Sequence, residues 1–63
     1  MKVLHATIPL DILERLEARN YDLADKEVRL VRGHNRAQVT FVFCEGAAYR
    51  DCLESLPVPY RPA

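Results

Sequence analysis

The segment Ala37-Gln-Val-Thr-Phe-Val-Phe-Cys44 leaves few folds open to this chain. Val39, Phe41 and Phe43 alternate with Gln38, Thr40 and Val42. β-Branched and aromatic residues at period two suit a pleated surface with one buried side. The preceding segment, Lys26 to Arg32, puts Val28 and Leu30 on one face. Between the two lies Gly33-His34-Asn35-Arg36, and Gly and Asn supply the positive φ angles of a tight turn. Lys26 to Cys44 is therefore read as a β-hairpin. If Arg32 faces Ala37, Leu30 pairs with Val39 and Val28 with Phe41, so the apolar pairs share a face.

The rest of the chain is placed by asking what covers that face. Lys2 to Ile8 reads as a strand, with Leu4, Ala6 and Ile8 on one side and Val3, His5 and Thr7 on the other. Pro9 followed by Asp11 marks a helix start. The helix should run to about Asn20 with Ile12, Leu13 and Leu16 as its apolar stripe, and Asn20 tolerates the left-handed conformation at a helix end. Tyr21 to Asp25 is a connection in which Tyr21 and Leu23 turn inward. Glu45-Gly46 opens a second helix, roughly Ala47 to Leu56, buried along Ala48, Tyr49, Cys52, Leu53 and Leu56.

Residues 1–56 form one α+β domain. The tail 57–63, with Pro57, Pro59 and Pro62, reads as a proline-rich extended segment of polyproline type. The order is β-α-β-β-α. A right-handed crossover makes the first two strands parallel, and the hairpin's return strand fits between them. The expected fold is a split βαβ, a truncated ferredoxin-like arrangement. Its three-stranded sheet has order 1-3-2, with two helices on one face. The usual fourth strand is missing, and the other face has no cover. That open face carries Val3, His5, Thr7, Arg29, Val31, Gln38, Thr40 and Val42.

Size and composition narrow the function. A chain of 63 residues buries only about 60% of its unfolded surface, so extra stability usually comes from a disulfide, a metal or a partner. The two cysteines, Cys44 and Cys52, and the two histidines, His5 and His34, lack the spacing of a zinc knuckle, and no CxxC is present. No metal and no cofactor are expected. Met-Lys-Val-Leu-His opens the chain with no apolar run of signal or transmembrane length. A cytoplasmic protein without a membrane partner is the expectation, with self-association as the remaining stabiliser. Nine basic and nine acidic residues balance, whereas phosphate-gripping domains usually carry a net basic field.

The fold resembles that of RNA-recognition modules. In that family the return strand carries a basic-Gly-aromatic-Gly-aromatic signature. Arg36 to Phe43 stands at the matching place, and Phe43-Cys44-Glu45-Gly46-Ala47-Ala48-Tyr49-Arg50 is similar to the following strand-to-helix passage. The likeness covers about half the chain and is architectural. Gln38 and Thr40 occupy the positions that stack bases in the family, and neither has a π face.

Three readings of function follow. The first is a small non-enzymatic interaction module, a regulator or inhibitor that binds another protein. It would be a homodimer through its open sheet face or edge. The second is nucleic-acid binding by the basic hairpin, with Arg29, Arg32, Arg36, His34 and, at its margin, Lys2. The third is a minimal Cys/His enzyme at a subunit junction, using Cys44 or a histidine. Cys52 falls on a buried stripe, where a thiol behaves as a small hydrophobe. The binding residues expected on the first two readings are His5, Arg29, Val31, Arg32, His34, Arg36, Gln38, Thr40 and Val42; no catalytic residue is assigned. A deep pocket is hard to build from one thin helix layer on three strands.

Overall fold

A computed structural model describes residues 1–62. Strand β1, Lys2–Pro9, buries Leu4, Ala6 and Ile8 and exposes Val3, His5 and Thr7. Its alternation ends at Pro9, whose φ of −60° caps α1, Leu10–Ala18. Ile12, Leu13 and Leu16 are the buried stripe of α1. The helix stops just before Asn20, which takes the expected positive φ, 56°.

β2, Leu23–Val31, begins three residues before the sequence-based start at Lys26. The early start is made possible by a bulge at Ala24, where the register with β3 slips between Leu23 and Asp25. β3, Arg36–Phe43, buries Ala37, Val39, Phe41 and Phe43. α2, Gly46–Ser55, follows, and a short 3₁₀ turn, Val58–Tyr60, closes the description. The sheet order is β1-β3-β2, and β3 runs antiparallel to both neighbours, so β1 and β2 are parallel. The buried residues of the strands and of both helices belong to one core, which places α1 and α2 on the same side. This is the α+β, truncated ferredoxin-like arrangement that the pattern predicts.

The core turns on Phe43. Its ring meets Tyr21, Phe41 and Tyr49 edge to face, with centroids at 5.7, 6.3 and 5.9 Å. Such contacts add about 0.5–1.5 kcal/mol each beyond the area they bury.

Four expectations are corrected. The turn is Arg32 to Asn35, with Gly33 at φ 81° and Asn35 at φ 42°. Val31 therefore faces Arg36, Leu30 faces Ala37 and Val28 faces Val39, two residues away from the predicted register. A shift of two preserves every side-chain direction, so the faces stand. The second correction concerns cover: Leu30 is 72% and Val28 37% exposed. The helices pack over β1 and β3, and α1, only nine residues long, leaves β2 uncovered beyond Leu23, which packs half-buried on the core. The third is the tail, which is not extended throughout. Tyr60 donates its N–H to Pro57 and Arg61 to Val58. The turn packs against β1, and Tyr60 lies half-buried on the core. The Arg61 guanidinium, at 2.9 and 3.2 Å from the Leu56 and Glu54 carbonyls, ties the tail to the end of α2. Ala63, the last residue of the expected tail, lies outside the described residues. The fourth concerns Lys2, which is far from the hairpin tip. It pairs with Phe43 at the opposite end of the sheet and sets its ammonium 6.0 Å from the Tyr49 ring centre.

Candidate interaction surface

The register arranges the open face in rows across the sheet. Val3, Val42 and Asp25 form one row, and His5, Thr40 and Glu27 the next. Thr7, Gln38 and Arg29 come third; Arg36 and Val31 close the face beside the hairpin turn. Within the second row, His5 Nδ1 and Thr40 Oγ1 are hydrogen-bonded at 2.8 Å. Val3 is 54% exposed, while Val31, Thr40 and Val42 are half-buried. The face therefore carries an apolar pair, Val3 and Val42, at one end, a polar middle, and Val31 beside Arg36 at the hairpin end.

The other side of β2 is the part that sequence reasoning missed. None of the nine residues of β2 is buried. Its helix-side residues Lys26, Val28 and Leu30 overhang the helix layer. One ion pair bridges the gap, Lys26 Nζ to Glu17 Oε2 at 3.4 Å. Alternating Val28 and Leu30 with charged residues is equally the pattern of a half-buried strand. Only the short reach of α1 distinguishes the two, and that is a tertiary fact.

The hairpin tip brings Arg32, His34 and Arg36 together, all exposed, around a shallow depression floored by Leu10 and Leu30. Arg29 does not join them. Its Nε is held by Glu27 Oε1 at 2.8 Å, on the same face two residues back.

The cysteines are kept apart from the histidines. Cys44 is exposed and Cys52 buried, and neither forms a disulfide. His5 faces Thr40, four residues from Cys44, or roughly 13 Å along the strand. Burial, then the nearby Asp51 carboxylate, pushes the Cys52 thiol up to about 11. At neutral pH it is an uncharged core group.

No family model, curated protein or solved structure matches the chain.

One polar cluster lacked a sequence signal. Asp51 on α2 accepts from Tyr21 Oη at 2.6 Å and from Arg19 Nη1 at 3.1 Å. These contacts clip the end of α1 and the following connection to α2. Burial first, and the bond to Asp51 second, push the Tyr21 hydroxyl up to about 12. All three partners contribute to holding the helix layer together. Among the described residues, no three His, Cys, Asp or Glu side chains converge as a metal would require. No helix there is long and apolar enough to cross a membrane.

Proposed function

We propose that this chain is a non-enzymatic protein-binding module that works as a homodimer through its sheet, in a regulatory or accessory role. One observation carries the reading: β2 is a nine-residue strand without a single buried residue. Strands in small domains ordinarily bury one face, and an uncovered apolar stretch beside an open sheet face marks an interaction site. Leu30 and Val28 on one side, with Val31 and Val42 on the other, are what a partner would remove from water. Light scattering with sedimentation velocity, from micromolar to millimolar protein, tests it. A dimer that fills with concentration is expected, and a monomer at the highest concentration overturns the proposal.

A second reading, nucleic-acid binding, draws on the tip. Arg32 and Arg36 form no ion pair among the described residues, and His34 stands beside them. Retention of single-stranded oligonucleotide at low salt, weakened by salt and by Arg32→Ala or Arg36→Ala, is its signature. Absence of retention at low salt ends it.

A further inference from the structure

We infer that the partner of β2 is β2 of a second copy, paired antiparallel about a two-fold axis at Val28, so that two sheets join into one of six strands. This rests on the homodimer reading above and specifies its interface.

The hydrogen-bond phase of the sheet selects which groups face outward. Leu10 donates its N–H to the Asn35 carbonyl at 3.1 Å, one step outside the Pro9–Arg36 pair. Pro9–Arg36 is thus a non-hydrogen-bonded pair, and Ile8–Ala37 a hydrogen-bonded one. Odd-numbered residues of β3 then bond to β1, and even-numbered ones to β2. On β2 the residues bonded inward are Glu27, Arg29 and Val31, opposite Thr40, Gln38 and Arg36. Val28 and Leu30 direct their N–H and C=O groups away from the sheet, as does Lys26. The Lys26 N–H confirms this phase, since it is taken at 2.9 Å by the Asp25 carboxylate.

Only hydrogen-bonded pairing of even-numbered residues can extend such an edge. With the axis at Val28, the two Val28 residues exchange both bonds, and the Leu30 N–H reaches the Lys26 carbonyl of the other copy. Asp25 can keep the Lys26 N–H, so the central bonds need no rearrangement. In this register Glu27 of each copy stands directly opposite Arg29 of the other, twice per dimer. The neighbouring registers are worse. Moving the axis to Glu27 brings Asp25 opposite Arg29, but it sets the two Glu27 carboxylates against each other at the centre and draws on an Asp25 already held by the Lys26 N–H. Moving it to Arg29 sets that residue against its own copy, a like-charge contact with no opposite-charge pair to offset it. Moving it to Lys26 sets Asp25 against Glu27, and moving it to Leu30 leaves Glu27 opposite Gly33. Charge complementarity thus selects one register, and the same charges discourage the slipped ones.

The test uses the intact chain and measures the dimer dissociation constant by sedimentation. Glu27→Arg alone, or Arg29→Glu alone, places like charges opposite each other twice and should weaken the dimer about tenfold or more. The double exchange Glu27→Arg with Arg29→Glu should restore it. Val28→Pro removes an outward N–H that the β2–β3 ladder does not use. It should abolish dimerisation with the monomer's circular dichroism unchanged. A wild-type dimer indifferent to both charge reversals but dissociated by Val42→Lys overturns this interface and leaves the homodimer reading standing. A wild-type monomer at millimolar concentration overturns both.

Discussion

Leu4 and Leu30 are the same residue type in the same sheet, and exchanging them for smaller or more polar side chains should have very different effects. Leu4 is fully buried and Leu30 is 72% exposed. Fully burying a leucine is worth about 1.5–3 kcal/mol, so the quarter or so of Leu30 kept from water contributes about 0.5 kcal/mol. Leu30→Thr keeps β-propensity and should cost no more than about that amount. Leu4→Ala removes core methylenes beside Phe41, its partner across the ladder, and should cost about 2–5 kcal/mol. A domain of this length has about 3–9 kcal/mol in all, so Leu4→Ala should leave it barely folded. Urea unfolding followed by circular dichroism at a few micromolar, below self-association, reads both. With a slope of about 1 kcal/mol per molar urea for so small a chain, the midpoint moves by about 0.5 M for Leu30→Thr. For Leu4→Ala it moves by about 2–5 M on the same slope, a large share of the wild-type midpoint expected at about 3–9 M. A loss above about 2 kcal/mol for Leu30→Thr at low concentration would mean that the helix layer does cover β2. The case for a bare strand would then be lost. At high concentration the same variant should lose additional stability relative to wild type, because a dimer that binds only the folded state stabilises it by mass action.

Three other outcomes are expected. Asp51→Ala takes the acceptor from Tyr21 and Arg19; these groups are partly exposed, so the loss should be about 1 kcal/mol, seen as a lower midpoint in thermal melts. Stability should fall at alkaline pH, because the Cys52 thiol moves from 9.0 to about 11 and the Tyr21 hydroxyl from 10.0 to about 12 on folding. Both shifts are upward, so the native state keeps protons that the unfolded chain has released. Their contribution is whole below about pH 9 and is lost as pH rises towards 12. Urea melts at several pH values should show a shallower fall above pH 10 for Tyr21→Phe, and an identical fall would remove Tyr21 from this account. Finally, a thiol reagent under native conditions should label exposed Cys44 and spare buried Cys52 until urea unfolds the chain; equal rates would contradict the packing of α2.

Most of the fold was legible because its signals are local. Alternation in β1 and β3 assigns buried and exposed faces residue by residue, and the stripe of α1 follows from helical spacing. Asn20 takes the positive φ that its side chain tolerates. What was not legible depends on non-local geometry. The hairpin register came out two residues off because a shift of two leaves a period-two pattern unchanged. The tail's prolines limit φ to near −65°, a value shared by polyproline and 3₁₀ conformations, which differ in ψ. Packing of Tyr60 and the hold of Arg61 on α2 decide for the turn. The candidate site divides the same way. His5, Arg29, Val31, Gln38, Thr40 and Val42 sit on the open face where periodicity put them, whereas the overhang of Val28 and Leu30 depends on how far α1 extends.

That overhang also discriminates between the two ways a sheet can take a partner. Stacking open face on open face would cover Val3 and Val42, but it would also bury His5, Glu27, Arg29 and Arg36, which share that face. Removing the charges of Glu27, Arg29 and Arg36 from water costs several kcal/mol per ion before any pairing is gained. It would leave the outward N–H groups of Val28 and Leu30 as they are, and Leu30 as wet as before, since both lie off that face. Pairing along the β2 edge avoids these penalties. Glu27 and Arg29 stay at the surface and exchange the ion pair within each strand for one across strands, two per dimer in either case, while the outward backbone groups find partners and Val28 meets its copy. The face then remains open for a different protein, with its Val3–Val42 patch present twice and displayed on one continuous sheet. In this arrangement dimerisation and partner binding use separate surfaces. Val28→Pro, whose side chain lies off that face, should therefore abolish the dimer and reduce partner binding only through the loss of the second copy.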